Sequence, residues 1–426
     1  MGFADNYLIR YSIIGPQITE PPSGLLRFII VIPAYLEDQI FSTLRSLLSA
    51  DPPDHHVEVI VIVNHPVSDI PENKEKNKNI CDELVKWCQK NSFKWIRFHV
   101  LYAPDLPKKH AGAGLARKIG MDEAIHRFNR LDLPSGFILS LDADSTLDKN
   151  YFTELERALS DDVSAEGCIF YFEHPIEGIE FSSDVYTAVV KYELYLRYYH
   201  HALQRTGYPY YQYTIGACFG VNASAYVAQG GMNRRQAGED FYFLHKLFPN
   251  RKFIDITATC VHPSPRPSFR VPFGTGPVIN QLTSGELDEL YTYHPAAFEE
   301  LREMIFKIPL FYDKEMDPDW IVASLPASIA NFLDSMNFSR KIVEIRNNTA
   351  SKQTFEKRFY QWFDGFMVVK YLNVSHSGFY SKLPVGEAVK MLLKALKIDA
   401  TGMSEEKLLL LFREADQKNL SLETIF

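Results

Sequence analysis

Cysteine is scarce in this sequence: five residues in 426, at positions 81, 88, 168, 218 and 260. A set this sparse and odd excludes a disulfide framework and leads us to expect reduced thiols in a cytoplasmic compartment. Their spacings match no zinc motif. Long apolar runs are also missing. No stretch reaches the roughly 18 residues that a membrane-spanning helix needs, and the first twenty residues lack the basic start and apolar core of a secretion signal. A soluble chain is expected. Excess positive charge is absent too, with 45 Lys and Arg against 53 Asp and Glu, a net charge of -8. That balance argues against a nucleic-acid partner. It leaves a nucleotide ligand open, because a metal ion and a few local donors suffice to hold one diphosphate. No GxGxxG follows the first apolar run, which disfavours a dinucleotide-dependent dehydrogenase. The same position lacks the basic Gly-rich loop expected of a nucleotidyltransferase. There is no internal repeat and no low-complexity tract.

What remains is a globular composition, 46% hydrophobic and 23% charged, with 13% aromatics. The length suits two or three domains with a sizeable core. Continuous apolar runs at Leu25–Pro33, Val57–Val63, Trp95–Tyr102 and Phe137–Leu141 read as buried strands. Helical spacing falls between them, over 38–50, 80–91 and 112–128, with 68–79 read as a polar loop. Four strand–helix alternations without polar alternation in the strands predict a parallel sheet covered by helices on both faces. Ligands of such sheets bind beyond the carboxyl ends of the strands, so the residues just after each run are the candidates. Farther on, 263–285 is rich in Pro, Gly, Ser and Arg and reads as an ordered loop or lid. Helical periodicity then dominates, with candidates at 287–290, 298–306, 320–336 and 385–396.

The strongest chemical signal is Ser140-Leu141-Asp142-Ala143-Asp144-Ser145, two carboxylates at i and i+2 after the fourth run. Residues two apart in extended chain share a side, so both can reach one hard cation. A divalent ion there would neutralise a diphosphate leaving group; the alternative is a solvated turn. A second signal is Gly238-Glu239-Asp240, opening a helical pattern over 241–247. Asp240 there is either a general base on an acceptor hydroxyl or an acidic residue favoured in a first helical turn. His262 ends the run Phe253–Val261 and is either a ligand for Mn²⁺ or an ordinary hydrogen-bonded residue. Arg266 and Arg270 either clamp phosphate oxygens or face water. The same choice applies to Lys108, Lys109 and His110. The tyrosines at 192, 195, 198, 199, 208, 210, 211 and 213 are a sugar-stacking wall or ordinary packing.

Taken in order, these residues resemble a known family. Val31-Ile32-Pro33-Ala34-Tyr35-Leu36-Glu37 is similar to the opening of family 2 glycosyltransferases, and Asp142-Ala143-Asp144 resembles their metal-binding DxD. Gly216-Ala217, Gly230-Gly231 and Gly238-Glu239-Asp240 resemble their acceptor-side block. The match in order and spacing covers roughly residues 27–262. The resemblance implies a GT-A type α/β fold, a mostly parallel sheet flanked by helices, with a helical C-terminal region. It implies a UDP- or GDP-sugar donor and a Mn²⁺ or Mg²⁺ ion. Pro33, Tyr35 and Glu37 would line the nucleoside pocket, and Gly112, Gly114 and Arg117 would lie against the nucleotide. Asp142 would sit near the ribose and Asp144 would bind the metal. Asp240, with Glu239 beside it, would be the base of an inverting displacement.

Two departures stand out. Asn64-His65-Pro66 replaces the family's acidic turn after the second strand, so Asn64 could bond the base or ribose only without that charge. The motif of processive members is also absent. The expected division is an extension at 1–24, a transferase domain at 25–285 (donor half 25–145, acceptor half 146–285) and helices at 286–426 that could support a homodimer. The acceptor, whether glycan, lipid or small molecule, is not specified. A retaining transferase and a catalytically silent nucleotide- or glycan-binding relative stay open as alternatives.

Overall fold

The computed structural model describes residues 2–425. The chain forms two compact units, one of residues 2–178 and 214–277 and the other of 179–213 and 278–425. The first unit opens with α1 (Asp5–Tyr11) and then alternates β1 (Leu26–Ala34), α2 (Ile40–Leu48), β2 (His56–Pro66), α3 (Pro71–Asn91), β3 (Ile96–Leu106), α4 (Ala113–Arg130) and β4 (Phe137–Ser140). The short β5 (Thr146–Leu147), α5 (Tyr151–Asp161) and β6 (Gly167–Phe172) follow. The chain then leaves for α6 (Ser183–Arg205) of the second unit. It returns with β7 (Phe219–Asn222), α7 (Ala223–Ala228), α8 (Glu239–Leu247) and β8 (Phe253–His262).

The eight strands make one sheet in the order β3-β2-β1-β4-β7-β6-β8-β5. From β3 to β4 all pairs are parallel. β7 is antiparallel to both of its neighbours, β6 and β8 are parallel, and β5 closes the edge antiparallel to β8. The central strands are buried along nearly their whole length. This explains their unbroken Val and Ile runs, since a strand covered on both faces has no polar side. The expected α/β class, with a mostly parallel sheet flanked by helices, is what the molecule adopts. β2 lies on one side of β1 and β4 on the other, so the strand order reverses between β1 and β4. That reversal opens a crevice at their carboxyl ends.

Four expectations change, the first at residues 263–285, which are not all loop because a helix runs over Thr275–Thr283. Residues 68–79 are not all loop, because α3 begins at Pro71. Proline suits the first helical position, and Glu72 favours the dipole there. Residues 287–290 are not helical. The span 320–336 is two helices, Pro318–Ala323 and Ala327–Ser335, broken where Leu325 precedes Pro326.

The second unit is helical apart from one two-residue strand pair, Tyr291–Thr292 with Leu383–Pro384. Its centre is α6, placed by sequence in the acceptor half, which packs with the helices Pro295–Phe306, Val385–Ala395 and Glu405–Gln417. The tyrosines of α6 are largely packing residues. Tyr198 is buried and donates to the Tyr293 carbonyl at 2.7 Å, and Tyr208 donates to that of Phe363 at 3.2 Å. All five cysteines are buried, and none of them forms a disulfide. Among the described residues, no helix is long and apolar enough to cross a membrane.

Candidate active site

Two loops leave the sheet at its point of reversal. After β1 the chain turns through Leu36, whose φ is 51°, and its N–H is held by Asn77 Oδ1 at 2.9 Å. That turn swings the next side chain, Glu37, into the crevice, where it is only 2% exposed. After β4 comes Leu141–Ser145. The hydroxyl of Thr43 on α2 fixes this loop by donating to the Ala143 carbonyl at 2.9 Å. Asp142 and Asp144 flank that anchored residue and stay partly open, with side chains 38% and 25% exposed.

Arginines join these loops. Arg266 reaches Glu37 at 2.5 Å and Asp144 at 3.3 Å. Arg270 pairs with the same Glu37 oxygen, lies 3.6 Å from Asp144 Oδ2, and donates to the Tyr35 carbonyl at 3.0 Å. The Pro-rich loop after β8 is thus ordered against the crevice, and both its arginines point inward. Burial, followed by the nearby charges of Glu37 and Asp142, pushes the Asp144 carboxyl up to about 6, despite the opposing guanidiniums.

A third arginine ties the acceptor-side block to the same place. Arg117, in the first turns of α4, pairs with both Asp142 and Glu239, and its Nε donates to Ser140 Oγ at 3.1 Å. Arg117 and Glu239 are both buried. Their fit depends on glycines. A Cβ on Gly216 would lie 2.5 Å from the Arg117 guanidinium, and one on Gly114 would lie 2.2 Å from the Arg235 carbonyl oxygen. Gly238 adopts a left-handed φ of 68° as the residue before α8, which starts the helix so that Asp240 sits in its first turn. Asp240 accepts the N–H of Phe241 at 2.7 Å. Burial and then the charge of Glu239 push its carboxyl up to about 7, against the pull of Arg117.

The structure therefore brings Glu37, Asp142, Asp144, Arg117, Glu239, Asp240 and Arg270 into one cluster and adds Arg266. Pro33 and Tyr35 lie on its β1 side, where the Tyr35 hydroxyl donates to Asp69 at 2.9 Å. Asn64 is buried at the end of β2, and Gly112 precedes α4. His262, expected as a third metal ligand, lies with its Nε2 3.0 Å from Asp148 Oδ1. Its strand position is opposite Thr146, at the sheet edge. Lys108 and Lys109 are exposed. Among the described residues, the group of three ligating side chains whose atoms converge within 4.8 Å lies elsewhere, at His200, His201 and Asp416. The sequence reading missed that group because two histidines and a distant aspartate form no motif.

No protein-family model matches the sequence, and no curated protein matches it. Among solved structures, residues 1–349 of S. aureus TarS in complex with UDP-GlcNAc align at TM-score 0.42 and 13% identity, covering 74% of this chain and 88% of that one. The same TarS fragment in complex with UDP aligns at TM-score 0.39 and 12% identity, over 76% and 92%.

Proposed function

We propose that this chain is a GT-A type glycosyltransferase that moves a sugar from a UDP- or GDP-sugar to an acceptor hydroxyl, with inversion and with the aid of a divalent cation. The observation that carries the reading is the pairing of Glu37 and Asp144 with Arg266 and Arg270 at the point where strand order reverses. Carboxylates and guanidiniums in one crevice suit a ligand that brings both a cation and an anion, as a metal-bound diphosphate does. A simple anion site would hold no buried Glu37.

The donor set fits Mn²⁺ or Mg²⁺. Such ions take hard oxygen ligands and are commonly held by one or two carboxylates plus substrate phosphates. Repulsion from Glu37 and Asp142 raises the Asp144 pKa, and a bound cation would relieve that repulsion. Asp144, with Asp142 beside it, would hold the ion, which when bound offsets charge on the departing diphosphate. Arg266 and Arg270, freed from Asp144, would turn their N–H groups to the phosphate oxygens. Asp240 would take the proton from the acceptor hydroxyl as that oxygen bonds to the anomeric carbon. The bond from that carbon to the phosphate oxygen breaks, and the nucleoside diphosphate leaves with the electron pair. Glu239 is a positioning residue in this scheme, locked to Arg117.

The test is a nucleotide panel read by thermal shift and sugar release, with and without Mn²⁺. We expect stabilisation by UDP or GDP that needs the metal and is reduced in Asp144→Ala, together with sugar release from the matching donor. Stabilisation without release would identify a silent binder. Retained anomeric configuration in the first-formed product, read by proton NMR, would overturn the role of Asp240.

A further inference from the structure

The second unit contains a buried group that the transfer reaction does not use. Asp416, on the helix Glu405–Gln417, presents its two oxygens to different partners. Oδ2 receives Arg197 and, at 2.8 Å, the Tyr213 hydroxyl. Oδ1 faces two imidazoles, with His201 Nε2 at 2.9 Å and His200 Nε2 at 3.9 Å. Arg197 is also paired with Glu193, which Arg413 pairs in turn.

The imidazoles are arranged as ligands rather than as hydrogen-bond donors. His200 Nδ1 lies 3.0 Å from the Tyr211 carbonyl, which can only accept, so that nitrogen carries the proton and, in the neutral ring, Nε2 carries the lone pair. A lone pair facing a carboxylate oxygen is repulsive unless a cation lies between them. Stacking on Tyr213, with centroids 4.0 Å apart and planes 5° apart, holds the ring in that orientation. A ligating histidine fixed through its other nitrogen by a backbone carbonyl is a recurrent metal-site feature. His201 is 3% exposed, and neither of its ring nitrogens makes a hydrogen bond. Its Nε2 is close to Oδ1 but off line for an N–H donor. A buried imidazole whose nitrogens make no aligned hydrogen bond is costly unless something else satisfies it.

We propose that His200 Nε2, His201 Nε2 and Asp416 Oδ1 form a zinc site that fastens the helix Glu405–Gln417 to α6. Two imidazoles and one carboxylate are a zinc-type donor set, with a fourth position for water. Their spacing, with all three atoms within 4.8 Å of one another, needs only small side-chain adjustments to surround one ion.

The full-length chain, stripped with chelator and free of nucleotide, is dialysed against Zn²⁺ and its metal content measured. The expected result is about one equivalent per chain, with affinity lowered roughly 100-fold or more in His201→Ala and His200→Ala and unchanged in Asp144→Asn. Cobalt in place of zinc, on the wild-type chain, should give the visible absorption of a four-coordinate ion. This second readout does not depend on how any variant folds. Absence of zinc uptake and of the cobalt band, zinc affinity in both histidine variants equal to that of the wild type, or loss of uptake in Asp144→Asn would each overturn the site.

Discussion

Glu37 and Asp144 share two guanidiniums, those of Arg266 and Arg270, although they lie on loops from neighbouring parallel strands. Under the proposed function each arginine stands in for the cation that the carboxylates would hold. Removing the arginines should therefore have opposite effects on two ligands. In Arg266→Ala/Arg270→Ala, donor KM should rise roughly 10- to 100-fold, the scale of one or two charge-assisted bonds. Mn²⁺ should bind more tightly in the absence of nucleotide. Isothermal titration of each ligand checks both signs.

Asp240→Asn should lower kcat by about 10²- to 10⁴-fold, the usual contribution of a positioned base, while nucleotide-induced stabilisation persists. As the proposed base, Asp240 must be ionised to work. Since burial and Glu239 hold its carboxyl near 7, kcat/KM should rise with pH and level off above about 7. Arg117 opposes that shift, so Arg117→Lys, which cannot match the planar two-carboxylate contact, should move the limb to higher pH. A limb that stays in place would remove Arg117 from control of the base.

Asp144 is held near 6 against an ordinary value of 3.8. Between those values the folded chain binds more protons than the unfolded one, so stability contributed by this group is present at low pH and lost as pH rises toward 6. Asp144→Asn should therefore be more stable than the wild type above pH 6, by on the order of 1 kcal/mol, and the difference should vanish near pH 4. The same variant should lose metal-dependent donor binding. Thermal melts across this range provide the check.

Gly216→Ala would set a methyl group 2.5 Å from the Arg117 guanidinium. The expected cost is about 1–3 kcal/mol of stability from overpacking, with kcat reduced because Arg117 can no longer hold Asp142 and Glu239 together. Chemical denaturation and steady-state kinetics test the two parts separately.

Much of the donor side was legible in the chain. Buried parallel strands announce themselves as unbroken Val and Ile runs, and the residues after them must face the ligand edge. Hence Asp142 and Asp144 could be picked out before any contact was known, and Glu37 through the family resemblance of the segment after the first run. The start of α3 was not legible, because its first turns are Lys- and Glu-rich and the buried positions begin only at Asn77 and Ile80. Nor was the partition of α6. Its apolar stripe says that it packs, not against which helices.

The order of residues alone determined the alternating layers and the acidic character of the loops after the first and fourth apolar runs, because periodicity and hydrophobic burial are local properties of the chain. Only the tertiary structure decided which charges meet. It turned Arg266 and Arg270 toward Glu37, ran Arg117 between Asp142 and Glu239, sent His262 to Asp148, and set Asp416 against two histidines of α6. Those pairings join segments far apart in sequence, and a charge carries no record of its partner until packing excludes water around both.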